Sequence, residues 1–190
     1  MLIVADVHLG KVMHFRKAGI PIPKRLILDD LNKLASLISE HKAERVLFLG
    51  DLFHSQKNSE WTIFEEWIKL FPKISFELVM GNHDLYAKSF LPNSMKVYDE
   101  SLVEFPFIFT HEPLETCEIQ PDYYNLSGHL HPAVSLKGKN GERIKLPCFY
   151  FGEKSGLLPA FGKFTSSAKY KFEKECKLFG IAGKKVIELG

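Results

Sequence analysis

Aspartate, asparagine and histidine side chains that could bind divalent metals stand in five short segments, each directly after an apolar run. Carboxylate, amide and imidazole groups suit manganese, iron or zinc, whereas structural zinc sites usually contain thiolates. The three cysteines are widely scattered and form no CxxC pair, which argues against such a zinc site and against a disulfide framework. The five segments are Asp6-Val7-His8, Gly50-Asp51, Gly81-Asn82-His83-Asp84, His111 and Gly128-His129-Leu130-His131.

Each of these segments, taken alone, has an ordinary structural explanation as a turn or as the capped start of a helix. The combination of all five segments has no such ordinary explanation. Five of the eight histidines lie in the segments and His54 follows one of them, which leaves only His14 and His41 apart. Asp6 and His8 are two residues apart, as are His129 and His131, a spacing that lets both members of a pair face one ion. The joint pattern predicts a single metal-binding site.

Strands must precede these segments, because ligand sites in open parallel sheets form at the carboxyl ends of strands. The apolar runs predict strands at Leu2–Ala5, Arg45–Gly50 and Phe76–Gly81. Apolar residues at helical spacing predict helices over Ile27–Ile38 and Ser59–Phe71. Strand and helix therefore alternate, which is typical of a parallel sheet covered by helices.

The second half of the chain is predicted to consist mostly of antiparallel strands, with a hairpin turn at Asn140-Gly141. A glycine before several ligand candidates, at Gly50, Gly81 and Gly128, indicates a sharp turn or a close backbone approach. The whole sequence is predicted to be one α/β domain over residues 1–190. The strands predicted in the second half are Phe107–Thr110, Tyr123–Ser127, Ala133–Leu136, Arg143–Tyr150 and Lys185–Leu189.

Composition bounds the classes of function. A chain of 190 residues can bury a substantial core, and a net charge of +2 is too small to predict nucleic-acid binding by itself. The only apolar run near the first residue is Leu2 to Ala5, shorter than a signal peptide or a membrane span requires. With no disulfide pattern, we expect a cytoplasmic protein with reduced thiols and no membrane partner.

The five segments in this order resemble the signature of the calcineurin-like metallophosphoesterases, over residues 6 to 131. The resemblance implies a four-layer α/β/β/α sandwich, in which two facing sheets are flanked by helices and the site lies at one edge. A narrower set is similar to the phosphoesterases related to double-strand-break repair nucleases, including the DNA ligase-associated ones. That set comprises Asp6 to Lys11, Phe15-Arg16, Gly19 to Pro21, His111 to Pro113, Gly128 to Pro132, Leu146 to Phe149 and Leu158 to Gly162.

Two departures from these relatives shape what we expect. Family members usually carry some chain before the first strand, whereas this sequence begins there. The repair nucleases also carry a DNA-capping domain after this core, for which 190 residues leave no room. We therefore do not expect processive nuclease action on duplex DNA.

The resemblance implies two divalent metal ions, manganese first and iron, zinc or magnesium as alternatives, with Asp51 as their shared ligand. A hydroxide bridging the ions would attack phosphorus in line with the departing oxygen. The first ion would be held by Asp6, His8, Asp51 and His131, and the second by Asn82, His111, His129 and again Asp51.

Five further residues receive roles from the same resemblance. His83 would protonate the leaving oxygen or stabilise the transition state, and Asp84 would orient the His83 ring. His54 would lie near the scissile phosphate. Lys11 and Arg16 would grip a phosphate or nucleotide. The alternatives are a turn residue for His83, a surface loop histidine for His54, and solvated side chains for Lys11 and Arg16.

The function implied is hydrolysis of phosphodiesters, with nucleotides or DNA or RNA ends as substrates in a DNA-repair context. A DNA ligase or helicase would be the partner by the same resemblance. Alternatives are a non-catalytic scaffold of this fold and a phosphomonoesterase acting on a small metabolite. Protein phosphatases are disfavoured, because they carry Gly-Asp-x-x-Asp-Arg-Gly where this chain has Gly50-Asp-Leu-Phe-His-Ser55.

Overall fold

All α-helices of the described residues precede Leu70, whereas most strands follow it. This computed structural model describes residues 1–23, 26–54, 58–138, 141–163, 165 and 168–189. Its helices are α1 (Lys11–Lys17), α2 (Leu26–Glu40) and α3 (Ser59–Lys69), with 3₁₀ turns at Asp84–Tyr86, Lys88–Phe90 and Thr116–Glu118. Its strands are β1 (Leu2–Ala5), β2 (Arg45–Leu49), β3 (Ser75–Val79), β4 (Lys96–Tyr98), β5 (Ser101–Glu104), β6 (Phe107–Thr110), β7 (Tyr124–Ser127), β8 (Pro132–Lys137), β9 (Arg143–Phe151), β10 (Ser155–Leu157), β11 (Ala168–Lys169), β12 (Lys177–Ala182) and β13 (Lys185–Leu189).

The first sheet is parallel, in the order β1-β2-β3-β4. Val4, Phe48 and Leu78 lie side by side in its register and face α2 and α3. Alternate residues of a strand point to opposite faces of the sheet, so the residues that follow these three in their strands face away from the helices. The predicted alternation of strand and helix is confirmed, because both helices bury their apolar stripes on this sheet. The side chain of Ile27, part of the predicted stripe of α2, lies outside the described residues.

The second sheet faces the other side of the first. Its strands follow the order β11-β8-β9-β10-β7-β6-β5, and β12 joins β9 to β13. Leu49 and Val79 of the first sheet share a core with Phe109 and Leu126 of the second. Most of its pairings are antiparallel, as predicted, whereas β7 lies parallel to both β6 and β10.

The predicted α/β fold class is confirmed, with differences in detail. On the outer face of the second sheet, the buried Tyr150 ring packs against Tyr170 and Phe172, which belong to a non-helical segment. The predicted hairpin is present as the β8–β9 pair, although Asn140 itself lies outside the described residues. The short elements α1, β4, β5, β10, β11 and β12 were not predicted. No helix among the described residues is both long and apolar enough to cross a membrane.

Candidate metal centre

The strand ends of both sheets meet at one edge of the sandwich. The backbone N–H of Asp6 donates to the carbonyl of Gly50 at 3.2 Å, and that of His8 donates to Asp51 at 2.9 Å. These bonds extend the pairing of β1 with β2 beyond the strands and hold the first two predicted segments side by side. In the second sheet, the N–H of Gly128 donates to the carbonyl of His111 at 3.0 Å, which joins the ends of β6 and β7.

Three predicted ligands form a first group at the end of β1. In Asp6, His8 and His131, one candidate ligand atom from each residue lies within 4.8 Å of the other two. The Nε2 atom of His131 is 3.3 Å from the Oδ1 atom of Asp6. Asp6 and His8 are buried, and His131 is half-buried, so the group lies below the surface but remains reachable.

A second group of Asp51, His111 and His129 meets the same distance limit. The Nε2 atom of His111 is 3.4 Å from Asp51 Oδ1 and 3.1 Å from His129 Nδ1. The Oδ1 atom of Asn82 lies 3.1 Å from the same His111 nitrogen. His111 Nδ1 faces the carbonyl oxygen of Leu49 at 3.1 Å, which fixes the ring so that Nε2 points into the group.

Asp51 connects the two groups. Its Oδ2 atom is 3.7 Å from His8 Nε2 of the first group, while its Oδ1 atom faces His111 of the second. The structure therefore brings all seven predicted ligands to one place and sets Asp51 between the two groups, where a shared ligand would stand. The metal roles of these seven residues stay predictions.

The donor set fits divalent metal ions. Among the described residues, Asp6 Oδ1 and both ring nitrogens of His8 are buried without a hydrogen-bond partner. Burying such groups unpaired is costly, which favours a function as ligands. Burial, with a smaller contribution from the Lys11 ammonium group, lowers the pKa of His8 to about 2. His8 is therefore neutral near pH 7, the state in which imidazole binds metals.

Five of the predicted ligands adopt left-handed backbone conformations. Non-glycine residues rarely do so, and such strain persists only where the surrounding structure imposes it. Here the backbone bonds between neighbouring strand ends impose it, and the turn after each strand points the side chain into the site. The φ angles are 54° for Asp6, 52° for His8, 50° for Asp51, 65° for His129 and 44° for His131.

Glycine is required at two of the positions predicted beside the ligands, because other side chains approach the backbone closely there. Gly50 has a φ of 69°, and a Cβ atom there would lie 2.1 Å from the Nδ1 atom of His111. A Cβ atom at Gly128 would lie 2.6 Å from the Oδ2 atom of Asp6. Both distances are too short for any side chain, so glycine at these two positions lets the ligands of neighbouring segments come together.

His83 lies beside the shared carboxylate with its ring accessible. Its backbone N–H donates to Asp51 Oδ1 at 3.0 Å, and its Nε2 atom is 3.9 Å from Asp51 Oδ2. The side chain is 40% exposed, in contrast to the buried Asp51 and His8. A ring held at the centre but open to solvent can reach a bound substrate, as the predicted proton-donor role requires.

The Asp84 carboxylate connects two loops of the candidate centre. Its fully buried carboxylate accepts hydrogen bonds from the backbone N–H groups of Phe53 at 2.9 Å, Gly81 at 3.0 Å and Leu52 at 3.3 Å. Burial raises the pKa of Asp84 to about 6, although these three bonds favour the carboxylate. Asp84 thus holds the loops after β2 and β3 together. That it also orients the His83 ring stays a prediction.

His54 joins the ring of His83 to a histidine that sequence analysis left apart. Its ring centroid is 5.4 Å from that of His8, 5.2 Å from His83 and 5.4 Å from His14. The N–H of His54 donates to the carbonyl of Leu9 at 2.8 Å, which fixes its place beside the first group. Burial, followed by the Lys11 charge, lowers the pKa of His54 to about 4.

His14 was missed because α1 was not predicted. The available signal was its position three residues after Lys11, which places the two side chains on neighbouring positions of one helix face. Only Val12 of α1 is buried, so the helix has no apolar stripe to predict it by. Its start is instead fixed by Glu60 of α3, whose buried carboxylate accepts from the N–H groups of Gly10 and Met13, both at 2.7 Å.

Lys11 and Arg16, the two predicted substrate-binding residues, differ in their surroundings. Lys11 is half-buried beside the first group. Burial lowers the pKa of Lys11, against the opposing attraction of Asp51 and Asp6. Arg16 is exposed and donates from Nη1 to the carbonyl of Ile22 at 2.6 Å, which closes the loop after α1. Lys11 therefore faces the candidate centre, whereas Arg16 supports a loop.

Comparisons with known proteins identify the family. The family model described as calcineurin-like phosphoesterase matches residues 1–166. The crystal structure of the Pseudomonas putida nuclease MPE is similar to this one with a TM-score of 0.80 and 33% sequence identity, covering 98% of this chain and 86% of that chain. No curated protein matches the sequence. This chain belongs to the calcineurin-like phosphoesterase family.

Proposed function

We propose that this chain is a dinuclear metal-dependent phosphodiesterase that acts on nucleotides or nucleic-acid ends. One observation carries the proposal: two groups of candidate ligands, each within 4.8 Å, are connected by the single carboxylate of Asp51. Membership of the phosphoesterase family supports hydrolysis of phosphate esters. The similar Pseudomonas putida protein is a nuclease, which supports nucleic acid as the substrate class.

Carboxylate, amide and imidazole donors suit manganese first, with iron, zinc or magnesium as alternatives. A pair of such ions would supply a water of lowered pKa and positive charge opposite the phosphate. The chain's own contribution is to hold the donors in place. Asp84 fixes the loops after β2 and β3, and the left-handed turns direct the ligands into one pocket.

Side chains around the donors complete the chemistry. The exposed His83 ring can donate a proton or a hydrogen bond to the departing oxygen. The Lys11 ammonium group lies where it can balance negative charge on a phosphate. His54 lies between these two functions and can contact the phosphate through a ring nitrogen.

Two other functions remain distinguishable by experiment. A non-catalytic scaffold is less well supported, because the donors and the accessible His83 are all present and brought together. A phosphomonoesterase would use the same donors, so only its substrate preference separates it from a phosphodiesterase.

The biological setting proposed is DNA repair in the cytoplasm, with a DNA ligase or helicase as the partner. It rests on the narrower sequence resemblance, which extends through Leu158 to Gly162. In the structure, the N–H of Phe161 donates to the carbonyl of Ala5 at 2.9 Å and that of Gly162 to Asp6 at 3.2 Å. The resembling segment therefore supports the first ligand directly.

The test is a manganese-supplemented hydrolysis assay. Substrates are bis-p-nitrophenyl phosphate, p-nitrophenyl phosphate, 2′,3′-cyclic nucleotides and end-labelled single- and double-stranded DNA. We expect turnover of the diester well above that of the monoester, and loss of both on chelation. An Asp51→Asn variant is the control for a contaminating phosphatase. Equal activity in this variant, or no hydrolysis by the metal-loaded protein, would overturn the proposal.

A further inference from the structure

A cleft of about 300 Å³ opens beside the second ligand group. Asn82 and His111, two predicted metal ligands, form part of its wall, so the cleft adjoins the place where a phosphate would bind. Met80, Leu85 and Leu114 supply apolar surface. Its volume lies at the lower end of the range of roughly 300–1,000 Å³ typical of small-molecule sites.

Three carboxylates line the same cleft, which we call the acidic cleft. They belong to Asp99, Glu100 and Glu112, all of them exposed. Lys88 pairs with Asp99 at 2.5 Å and so offsets one of the three charges. None of the described residues that line the cleft is a lysine or arginine. A phosphate entering it would therefore meet uncompensated negative charge.

The opposite side of the candidate centre has the reverse character. Lys11, His14 and His54, which we call the α1 flank, lie beside the first ligand group. The flank combines an ammonium group with two imidazoles, and the Glu60 and Asp30 carboxylates that line a pocket with Lys11 are buried. A phosphate chain leaving the metals in this direction would meet cationic and hydrogen-bonding groups.

We propose that the acidic cleft binds one terminal nucleoside of the substrate, a nucleoside that carries no further phosphate. The proposal rests on the phosphodiesterase function proposed above and names its substrate class. Leu85 and Leu114 offer apolar surface to the base, while Glu100 and Glu112 accept hydrogen bonds from N–H groups of the base or from sugar hydroxyls. The remaining phosphates of an oligonucleotide extend over the α1 flank.

Electrostatics makes this arrangement selective. Like charges repel, and solvent at an exposed surface weakens this repulsion without removing it. A phosphate on the bound nucleoside would be repelled by Glu100 and Glu112 of the cleft wall, whereas an unmodified nucleoside carries no charge. The enzyme is therefore an end-specific one, which discriminates by the presence of a phosphate on the terminal nucleoside.

The first experiment measures binding without turnover. Thymidine is added to the full-length, magnesium-loaded protein, and saturation-transfer NMR reports contact. Leu85→Ser removes apolar surface from the cleft, and Leu70→Ser is the matched control, because Leu85 is 66% and Leu70 72% exposed. We expect Leu85→Ser to weaken thymidine binding at least about threefold, with Leu70→Ser unchanged. Absent thymidine binding, or equal binding by both variants, would overturn the cleft assignment.

The second experiment compares three dinucleotides that differ only in a terminal phosphate: TpT, pTpT and TpTp. We expect one phosphorylated form to be cleaved about tenfold more slowly than TpT because of charge repulsion. The Glu100→Gln, Glu112→Gln double variant should reduce that ratio towards one. Equal cleavage of all three by the wild-type protein would overturn the proposal.

The two proposals fail in different ways. If bis-p-nitrophenyl phosphate and the dinucleotides are not hydrolysed, the phosphodiesterase function is wrong, and the thymidine experiment alone decides whether the cleft binds a nucleoside. If the diester is hydrolysed but thymidine does not bind, the function stands and the cleft assignment falls.

Discussion

The α1 flank and the acidic cleft lie on opposite sides of one candidate centre and have opposite electrostatic character. The flank presents Lys11 with His14 and His54, whereas the cleft presents Glu100 and Glu112 with apolar surface. The candidate ligands of both groups, connected by Asp51, would fix where a phosphate binds but would not by themselves orient the rest of a substrate. The difference between the two sides therefore gives the site a direction, and it decides which part of a substrate points which way.

The two sides also differ in origin. The α1 flank comes from the segment after β1 and the loop after β2, at the edge of the first sheet. The acidic cleft draws on the ends of β3, β4 and β6, and so spans both sheets. A change on either side should alter substrate choice, whereas a change between them should remove activity on every substrate.

The largest effect is expected for Asp51→Asn, which lies between the two sides. Its amide cannot supply the charge that both groups require, so activity should fall on the order of 1,000-fold for all substrates. The measurements are kcat with bis-p-nitrophenyl phosphate, metal content by elemental analysis, and circular dichroism to confirm folding. A folded variant with near-normal turnover would remove Asp51 as the shared ligand.

His83→Ala should reduce kcat by about 100-fold while metal content is unchanged, because the ring acts on the substrate and not on the ions. The decisive comparison is metal content against turnover in the same preparation. Since His83 lies beside Asp51, the loss should be similar for substrates that extend over either side. If the variant loses metal, His83 is a ligand and its proposed role is wrong.

Lys11→Gln should weaken substrate binding at the α1 flank and leave the acidic cleft unchanged. Loss of the ammonium group should raise KM about tenfold for single-stranded oligonucleotides, whose phosphates reach the α1 flank, with little change in kcat. Bis-p-nitrophenyl phosphate has no second phosphate and serves as the comparison substrate, with a smaller rise in KM. Equal rises for both substrates would show that Lys11 contacts the scissile phosphate itself.

The smallest effect is expected for His14→Ala, about threefold in KM for oligonucleotides. The His14 ring lies 5.4 Å from His54 at the outer end of the α1 flank. His41→Ala is the matched control, since both histidines are exposed and His41 follows the end of α2. An identical effect of the two substitutions would restrict the phosphate-binding residues of the α1 flank to Lys11 and His54.

The parts of the molecule that could be predicted from the sequence are those whose chemistry and periodicity are local. The apolar runs predicted β1, β2 and β3 within about two residues, because buried parallel strands are nearly continuous in hydrophobicity. The candidate ligand segments could be found because each follows such a run, at the strand ends where sites form. The choice of seven ligands among them came from the family resemblance, and their metal roles stay predictions.

Elements whose structure depends on a contact from a distant residue could not be predicted in this way. Helix α1 begins at Gly10 without a capping side chain of its own, and the carboxylate that satisfies its first N–H groups belongs to Glu60, 50 residues later. His14 was missed with it. The bridging role of Asp84 was not predicted either, because its hydrogen-bond partners include Leu52 and Phe53 in another loop.

By itself, the sequence determined which side chains could bind metal, in which order they occur, and that strands and helices alternate around them. Only the tertiary structure decided how these side chains divide into two groups and which backbone turns adopt positive φ. It also decided that Glu100 and Glu112 lie beside the second group and Lys11 beside the first. The physical reason is that residue type and periodicity act over a few positions. Distances between side chains from different strands depend on how the two sheets pack against each other.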